Sequence, residues 1–393
     1  MNCKEFLDLG KQPIANGFLY KDEIKKEFFF NLKVGFDEET KLITQMGYVD
    51  PPLMFNKNYA YRGSMSKTMR DHFYGFSNSF KLKNKLQILE IGSNDGVFIK
   101  NWQPDQIIAV EPCSNFAKMT NEMGYKTYDE FWTMELADKI QKSHGKRDII
   151  FAANCICHIP DLDNTFKAVE SLLRDNGIFI FEDPSLASMI NNNSYDQIYD
   201  EHPHIFSIIA LDNILQRNGL QIVKVENLSV HGGSNRIYAQ KLGNKIAGWY
   251  ESVERNKTYE RILGLDKFET FERFTKRVEQ SKEDLVRILT QCKNEGKKVI
   301  SYGATSKSTT IFNYCKIGTN LIEYITDTTP EKQGKLSPGM HIPIISPKIG
   351  FNNSVDYAYL GAWNFVKEIS EKENKYLDRG GKFITHVPIV KFV

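Results

Sequence analysis

Ile88-Leu89-Glu90-Ile91-Gly92-Ser93-Asn94-Asp95-Gly96 decides the architecture of this chain. An apolar run of strand length enters a glycine turn, and a helix-competent segment follows. Glycines at 92 and 96 let the main chain approach a ligand closely at the carboxyl edge of a sheet, where open α/β folds bind small molecules. Similar apolar runs recur at 106–111, 148–153 and 177–182, with helical segments between them. Strands that are apolar throughout and bounded by turns suit a parallel sheet buried on both faces. The alternation predicts a doubly wound α/β domain. Residues 220–225 and 236–240 read as later, antiparallel strands.

Outward from this centre the texture changes twice. Residues 1–80 are polar and aromatic, with turn signals at Gly17, Gly35, Asp50-Pro51-Pro52 and Gly63. Residues 251–296 are highly charged, with apolar positions at Phe268, Phe271, Phe274, Val278, Leu285, Ile288, Leu289 and Cys292. Their three-to-four spacing predicts one amphipathic helix, ended by Gly296, connecting two α/β units. A buried-type strand at 298–302 then runs into Gly303-Ala304-Thr305-Ser306-Lys307, with further strands at 323–327 and 357–361. The expected division is a small N-terminal domain over 1–75, a central domain over 76–250, a helical connector over 251–296 and a Rossmann-like domain over 297–393.

Composition narrows the function classes. In 393 residues, 51 Lys and Arg face 49 Asp and Glu, for a net charge of +2. A nucleic-acid binder carries a clear basic excess, so none is expected here. No apolar stretch reaches the ~18 residues of a membrane span, and the charged N-terminus is unlike a signal peptide. A cytoplasmic protein with no membrane partner is expected, as a monomer or small homo-oligomer. The six cysteines follow no disulfide rhythm and read as reduced thiols.

The turn has the form Glu-x-Gly-x-x-x-Gly, not the Gly-x-Gly-x-x-Gly of dinucleotide folds. Glu111 ends the next strand, where a carboxylate can accept both ribose hydroxyls of an adenosine. Together, Glu90, Gly92, Ser93, Asn94, Asp95, Gly96 and Glu111 resemble the cofactor site of class I S-adenosylmethionine-dependent methyltransferases. Ala153-Asn154-Cys155-Ile156-Cys157-His158 ends a later strand at the same edge. Its spacing is poor for a zinc knuckle and no second cluster accompanies it, so no metal is expected. Asn154 and His158 read instead as lining a cleft. The densest polar constellation is Tyr195-Asp196-Gln197-Ile198-Tyr199-Asp200-Glu201-His202-Pro203-His204, which is either a polar turn or a catalytic loop. Histidine is the natural base near neutral pH, Glu can orient it, and a phenol can hydrogen-bond an oxyanion. His231-Gly232-Gly233-Ser234-Asn235-Arg236 adds a guanidinium suited to an anion.

Stretches in order along nearly the whole chain resemble the nucleotide-sugar C-methyltransferases of deoxysugar biosynthesis. They are Leu9-Gly10-x-x-Pro13-Ile14-Ala15-Asn16-x-Phe18-Leu19, Tyr59-x-Tyr61-Arg62, Glu90–Gly96, Tyr195-Asp196-Gln197-Ile198-Tyr199-x-Glu201-His202, and His231-Gly232-Gly233-Ser234-x-Arg236. Tyr302-Gly303-Ala304-x-x-Lys307, Lys332-Gln333-Gly334 and Ala362-Trp363-Asn364 complete the set. The resemblance implies S-adenosylmethionine as cofactor and methylation at C-3 of a nucleotide-linked 4-keto-6-deoxy sugar through an enolate. It implies His202 as base, with Tyr199, Glu201, Asn154, His158 and one of Tyr59 or Tyr61 in the same cleft. Arg236, Ser306 and Lys307 are then the candidates for the nucleotide diphosphate. A sugar O-methyltransferase and an NAD-dependent oxidoreductase are the rivals.

Two departures stand out. The family holds an N-terminal zinc with four cysteines, of which only Cys3 remains, so no zinc is expected and packing through Phe28, Phe29, Phe30 and Phe36 is expected to replace it. Asp200 stands where the family carries histidine, and as an anion close to His202 it would raise the histidine pKa.

Overall fold

The computed structural model describes residues 3–80, 86–244 and 250–393. At its centre is a seven-stranded sheet in the order Leu220–Leu228, Ser234–Lys241, Leu173–Pro184, Arg147–Ala153, Ile88–Ile91, Ile107–Val110 and Lys126–Tyr128. The last five of these are mutually parallel, and the first two form an antiparallel edge. Ile88, Leu89 and Ile91 are buried, as are Ile107, Ile108 and Val110, which is what parallel strands covered on both faces require. Ile88–Ile91 has Ile107–Val110 on one side and Arg147–Ala153 on the other. The crevice therefore opens at its carboxyl end, at the topological switch point.

The N-terminal residues form an antiparallel sheet of Cys3–Pro13, Phe29–Asp37 and Ile43–Gln45. Its fourth strand is His204–Ile205, which comes from the end of the polar loop singled out above. This unit is thus not separate from the central one. Phe36 is fully buried against Phe271, with ring centroids 5.0 Å apart, and Phe6 packs on the same ring at 5.1 Å. The expected cluster of four phenylalanines does not form. Phe28 is 45% exposed and Phe29 is only half-buried, while the half-buried Phe30 packs against the core that holds Phe36.

The single connector helix is two helices, Glu251–Leu263 and Phe268–Asn294, broken where Gly264 takes a left-handed φ of 73°. The first packs on the edge strand Leu220–Leu228 and the second on Cys3–Pro13. Its stripe of Phe271, Phe274, Val278, Leu285 and Leu289 is buried in a core shared with the N-terminal sheet and the C-terminal unit. The C-terminal unit is a six-stranded sheet in the order Ile344–Ile345, Ile325–Thr326, Val299–Tyr302, Tyr357–Leu360, Lys382–Thr385 and Lys391–Phe392, parallel except for its last pair. The helix Ser306–Cys315 follows its first strand. Among the described residues, no helix is long and apolar enough to cross a membrane.

Candidate active site

A cavity of 660 Å³ lies at the carboxyl edge of the central sheet, where all three units meet. Glu90, Gly92, Ser93, Asn94, Glu111 and Asn154 line it around the glycine turn, His158, Tyr199, Glu201, His202 and Tyr59 line it around the histidine loop, and Tyr61, whose carbonyl accepts Asn94 Nδ2 at 3.1 Å, also lines it. Ser306 and Lys307 reach it from the C-terminal unit.

On the first side, Gly92 takes φ 74°, and a Cβ there would lie 2.6 Å from Cys155 Sγ, so only glycine fits the turn. Asn94 adopts a left-handed φ of 47° and donates its N–H to Glu111 Oε2 at 2.7 Å; Cys113 N–H reaches Oε1 at 2.8 Å. These two bonds hold the Glu111 carboxylate at the strand end. Burial still raises its pKa, and the two N–H groups oppose the shift. Glu90 is buried and has one oxygen without a hydrogen-bond partner among the described residues. Burial, then Glu111 and Asp95, push its pKa well above the usual carboxylate range. Asp95 and Gly96 do not line the cavity. Asp95 instead accepts the Ser64 hydroxyl, and Asn94 Oδ1 accepts Gly63 N–H at 3.0 Å, so the N-terminal segment is strapped onto the glycine turn.

S-adenosylmethionine fits these residues. The glycine cradle admits a ligand close to the main chain, Glu111 is placed for ribose hydroxyls, and the unpartnered Glu90 oxygen is suited to a cationic group.

On the other side, His202 donates its Nδ1–H to the Gln197 carbonyl at 2.7 Å. A carbonyl only accepts, so Nε2 carries the lone pair. Burial, then His158 and Lys307, hold the His202 pKa well below the ordinary value, so the ring is neutral at working pH. Burial and Lys307 push His158 down to about 3. The two imidazoles stack 5.0 Å apart, and the Phe55 ring stacks on His158 at 5.5 Å. Glu201 accepts Asn16 Nδ2 at 2.6 Å and the Tyr59 hydroxyl at 2.8 Å, both from the N-terminal unit. Gln45 Nε2 donates to the carbonyls of Tyr199 and His202 at 2.7 and 2.9 Å and so fixes the loop that carries them. Lys307 Nζ stands 5.9 Å over the Tyr199 ring and makes no ion pair among the described residues.

Two expectations change. Arg236 does not line the cavity. Its Nε donates to Glu182 at 2.7 Å and its Nη1 to Glu226 at 3.0 Å, while the guanidinium packs 3.9 Å above Phe76. Paired with two carboxylates on neighbouring strands, it has a structural role. Asp200 does not act on His202 either: its Oδ1 accepts Ala15 N–H at 3.1 Å, and burial, then Glu201, push its own pKa well up. Asn16, Gln45, Phe55 and Lys332 also serve or line the site. Asn16 and Lys332 lie within the motif stretches quoted above, whereas nothing local marks Gln45 or Phe55.

A methyltransferase-domain model matches residues 61–225, and a model described as the C-methyltransferase C-terminal domain matches residues 229–388. The chain is 30% identical to the C-methyltransferase NovU of Streptomyces niveus, over 98% of this chain and 93% of that protein. The chain belongs to the C-methyltransferase family. It is a S-adenosylmethionine-dependent enzyme with the class I fold. Among solved structures, it is similar to a S-adenosylmethionine-dependent methyltransferase from Clostridium acetobutylicum, with 16% identity, 44% and 92% coverage and a TM-score of 0.34. It is also similar to the CurJ carbon methyltransferase, with 17% identity, 49% and 61% coverage and a TM-score of 0.35.

Proposed function

We propose that this C-methyltransferase acts on C-3 of a nucleotide-linked 4-keto-6-deoxy sugar. The observation that carries the reading is the His202 tautomer: with Nδ1–H engaged by the Gln197 carbonyl, Nε2 offers a lone pair to the cavity side. A ring carbon beside a ketone becomes nucleophilic when its proton is removed, and a neutral, buried imidazole is the base for that step. Glu201, held by Asn16 and Tyr59, and the Tyr199 phenol stand beside it to orient substrate and hydrogen-bond the enolate oxygen. Bound S-adenosylmethionine supplies an electrophilic methyl group, and Glu90, Asn94 and Glu111 are the residues to hold it. Ser306 and Lys307 are placed at the cavity to meet the diphosphate. The two sides of one cavity then bring donor and acceptor carbon into line, and that positioning lowers the barrier.

The test is incubation with TDP-, GDP- and CDP-linked 4-keto-6-deoxy sugars and S-adenosylmethionine, followed by mass spectrometry and NMR. A new carbon–methyl bond at C-3 is expected. In deuterium oxide without methyl donor, the C-3 proton should exchange, and His202→Ala should abolish the exchange. Methyl on oxygen would overturn the reading in favour of a sugar O-methyltransferase. Binding of NAD in place of the methyl donor would overturn it altogether.

A further inference from the structure

Cys157 and His158 close the short turn Ile156–His158 after the strand Arg147–Ala153. The fold lays His202 against them from a loop far along the chain. One ligating atom from each of these three residues lies within 4.8 Å of the other two. His202 presents a bare Nε2 because its Nδ1–H is fixed by a backbone carbonyl, the arrangement by which metal-ligating histidines are oriented. His158 has a buried Nε2 with no hydrogen-bond partner among the described residues. A thiolate and two imidazoles are the donor set of a borderline-soft divalent cation, and three protein ligands leave the fourth tetrahedral position open. His158 and His202 both line the cavity, so that position opens on the substrate space.

We infer that Cys157, His158 and His202 form a binding site for a divalent cation of the zinc class, and that occupying it switches the enzyme off by taking the His202 lone pair. On binding, the Cys157 S–H bond breaks, sulfur keeps the electron pair and bonds the cation, and one proton leaves to the buffer. Nothing is oxidised or reduced. This site differs from the N-terminal cysteine set, of which only Cys3 is present. The inhibition half rests on His202 as the base; the binding half does not.

The experiment titrates chelator-stripped enzyme with Zn²⁺ and, separately, with Co²⁺. One equivalent should bind, with a dissociation constant of about 1 µM or tighter. Bound Co²⁺ should show tetrahedral d–d bands and a thiolate charge-transfer band. Calorimetry in buffers of different ionisation enthalpy should find about one proton released per ion. Methyl transfer and C-3 proton exchange should fall with occupancy and return with chelator, while S-adenosylmethionine affinity stays unchanged. Cys157→Ser should keep basal turnover, lose the charge-transfer band and weaken zinc binding more than about 100-fold. His158→Gln, read by metal binding alone, serves should the serine variant fail to fold. Octahedral cobalt without charge transfer, or unchanged zinc affinity in both variants, would overturn the site. Stoichiometric binding with undiminished turnover would overturn the inhibition and, separately, the reading of His202 as base.

Discussion

The Tyr59 hydroxyl donates a 2.8 Å hydrogen bond to Glu201 Oε2, tying the N-terminal unit to the histidine loop inside the cavity wall. Asn16 Nδ2 holds the other carboxylate oxygen at 2.6 Å. The small N-terminal unit is thereby part of the site and not an accessory to it.

Breaking that tie should slow turnover and spare cofactor binding. Tyr59→Phe or Asn16→Ala leaves one Glu201 oxygen without its donor, and a misplaced loop costs about 10- to 100-fold in kcat. Calorimetry should find S-adenosylmethionine affinity within about twofold of wild type. Unchanged kcat in both variants would remove Glu201 from its assigned place.

The cofactor side answers to different residues. Glu111→Ala removes the acceptor of Asn94 N–H and Cys113 N–H as well as the proposed ribose contact, so affinity for the methyl donor should fall at least about tenfold. Gly92→Ala should do the same, because its Cβ would meet Cys155 Sγ at 2.6 Å and its φ of 74° disfavours any side chain. KM for the proposed nucleotide-sugar substrate should hardly move in variants that still fold, and a change confined to that KM would contradict the division of the cavity.

Arg236 and Lys307 should separate stability from binding. Arg236→Met leaves the buried Glu182 with His72 alone as its side-chain partner and lowers stability by about 3 kcal/mol, read as a drop in Tm, with KM unchanged. Lys307→Met should raise KM for the proposed nucleotide-sugar substrate with Tm preserved, since this lysine has no ion-pair partner among the described residues. The reverse pattern would restore Arg236 to the substrate site.

Glu260 predicts a pH dependence of folding. Its carboxyl accepts Ile208 and Ile209 N–H at 2.8 and 3.0 Å at the start of the helix Ile208–Arg217, yet burial raises its pKa to about 7. A folded pKa above the unfolded one means the folded state binds the proton more tightly. The contribution is complete below the ordinary glutamate value of 4.5 and is lost as pH rises through about 7. Thermal unfolding across that window should show stability falling with pH, and Glu260→Gln should flatten the slope. Equal slopes in the two proteins would refute the assignment.

Much of this architecture was legible in the residues. Apolar runs bounded by turns set the parallel strands, and the glycine turn, Glu111 and the histidine loop that stood out in the sequence line one cavity, because backbone preference and periodicity act over a few residues. Even the break at Gly264 had its glycine in view. Tertiary structure alone decided the rest. His204–Ile205 completes the N-terminal sheet, Arg236 is drawn to Glu182 and Glu226, Asp200 turns to Ala15, and His202 lands on Cys157 and His158. Each of these pairings joins groups distant in sequence. Which carboxylate meets which donor is settled by burial and chain closure across the fold, where an unpaired polar group is costly, and no local pattern records it.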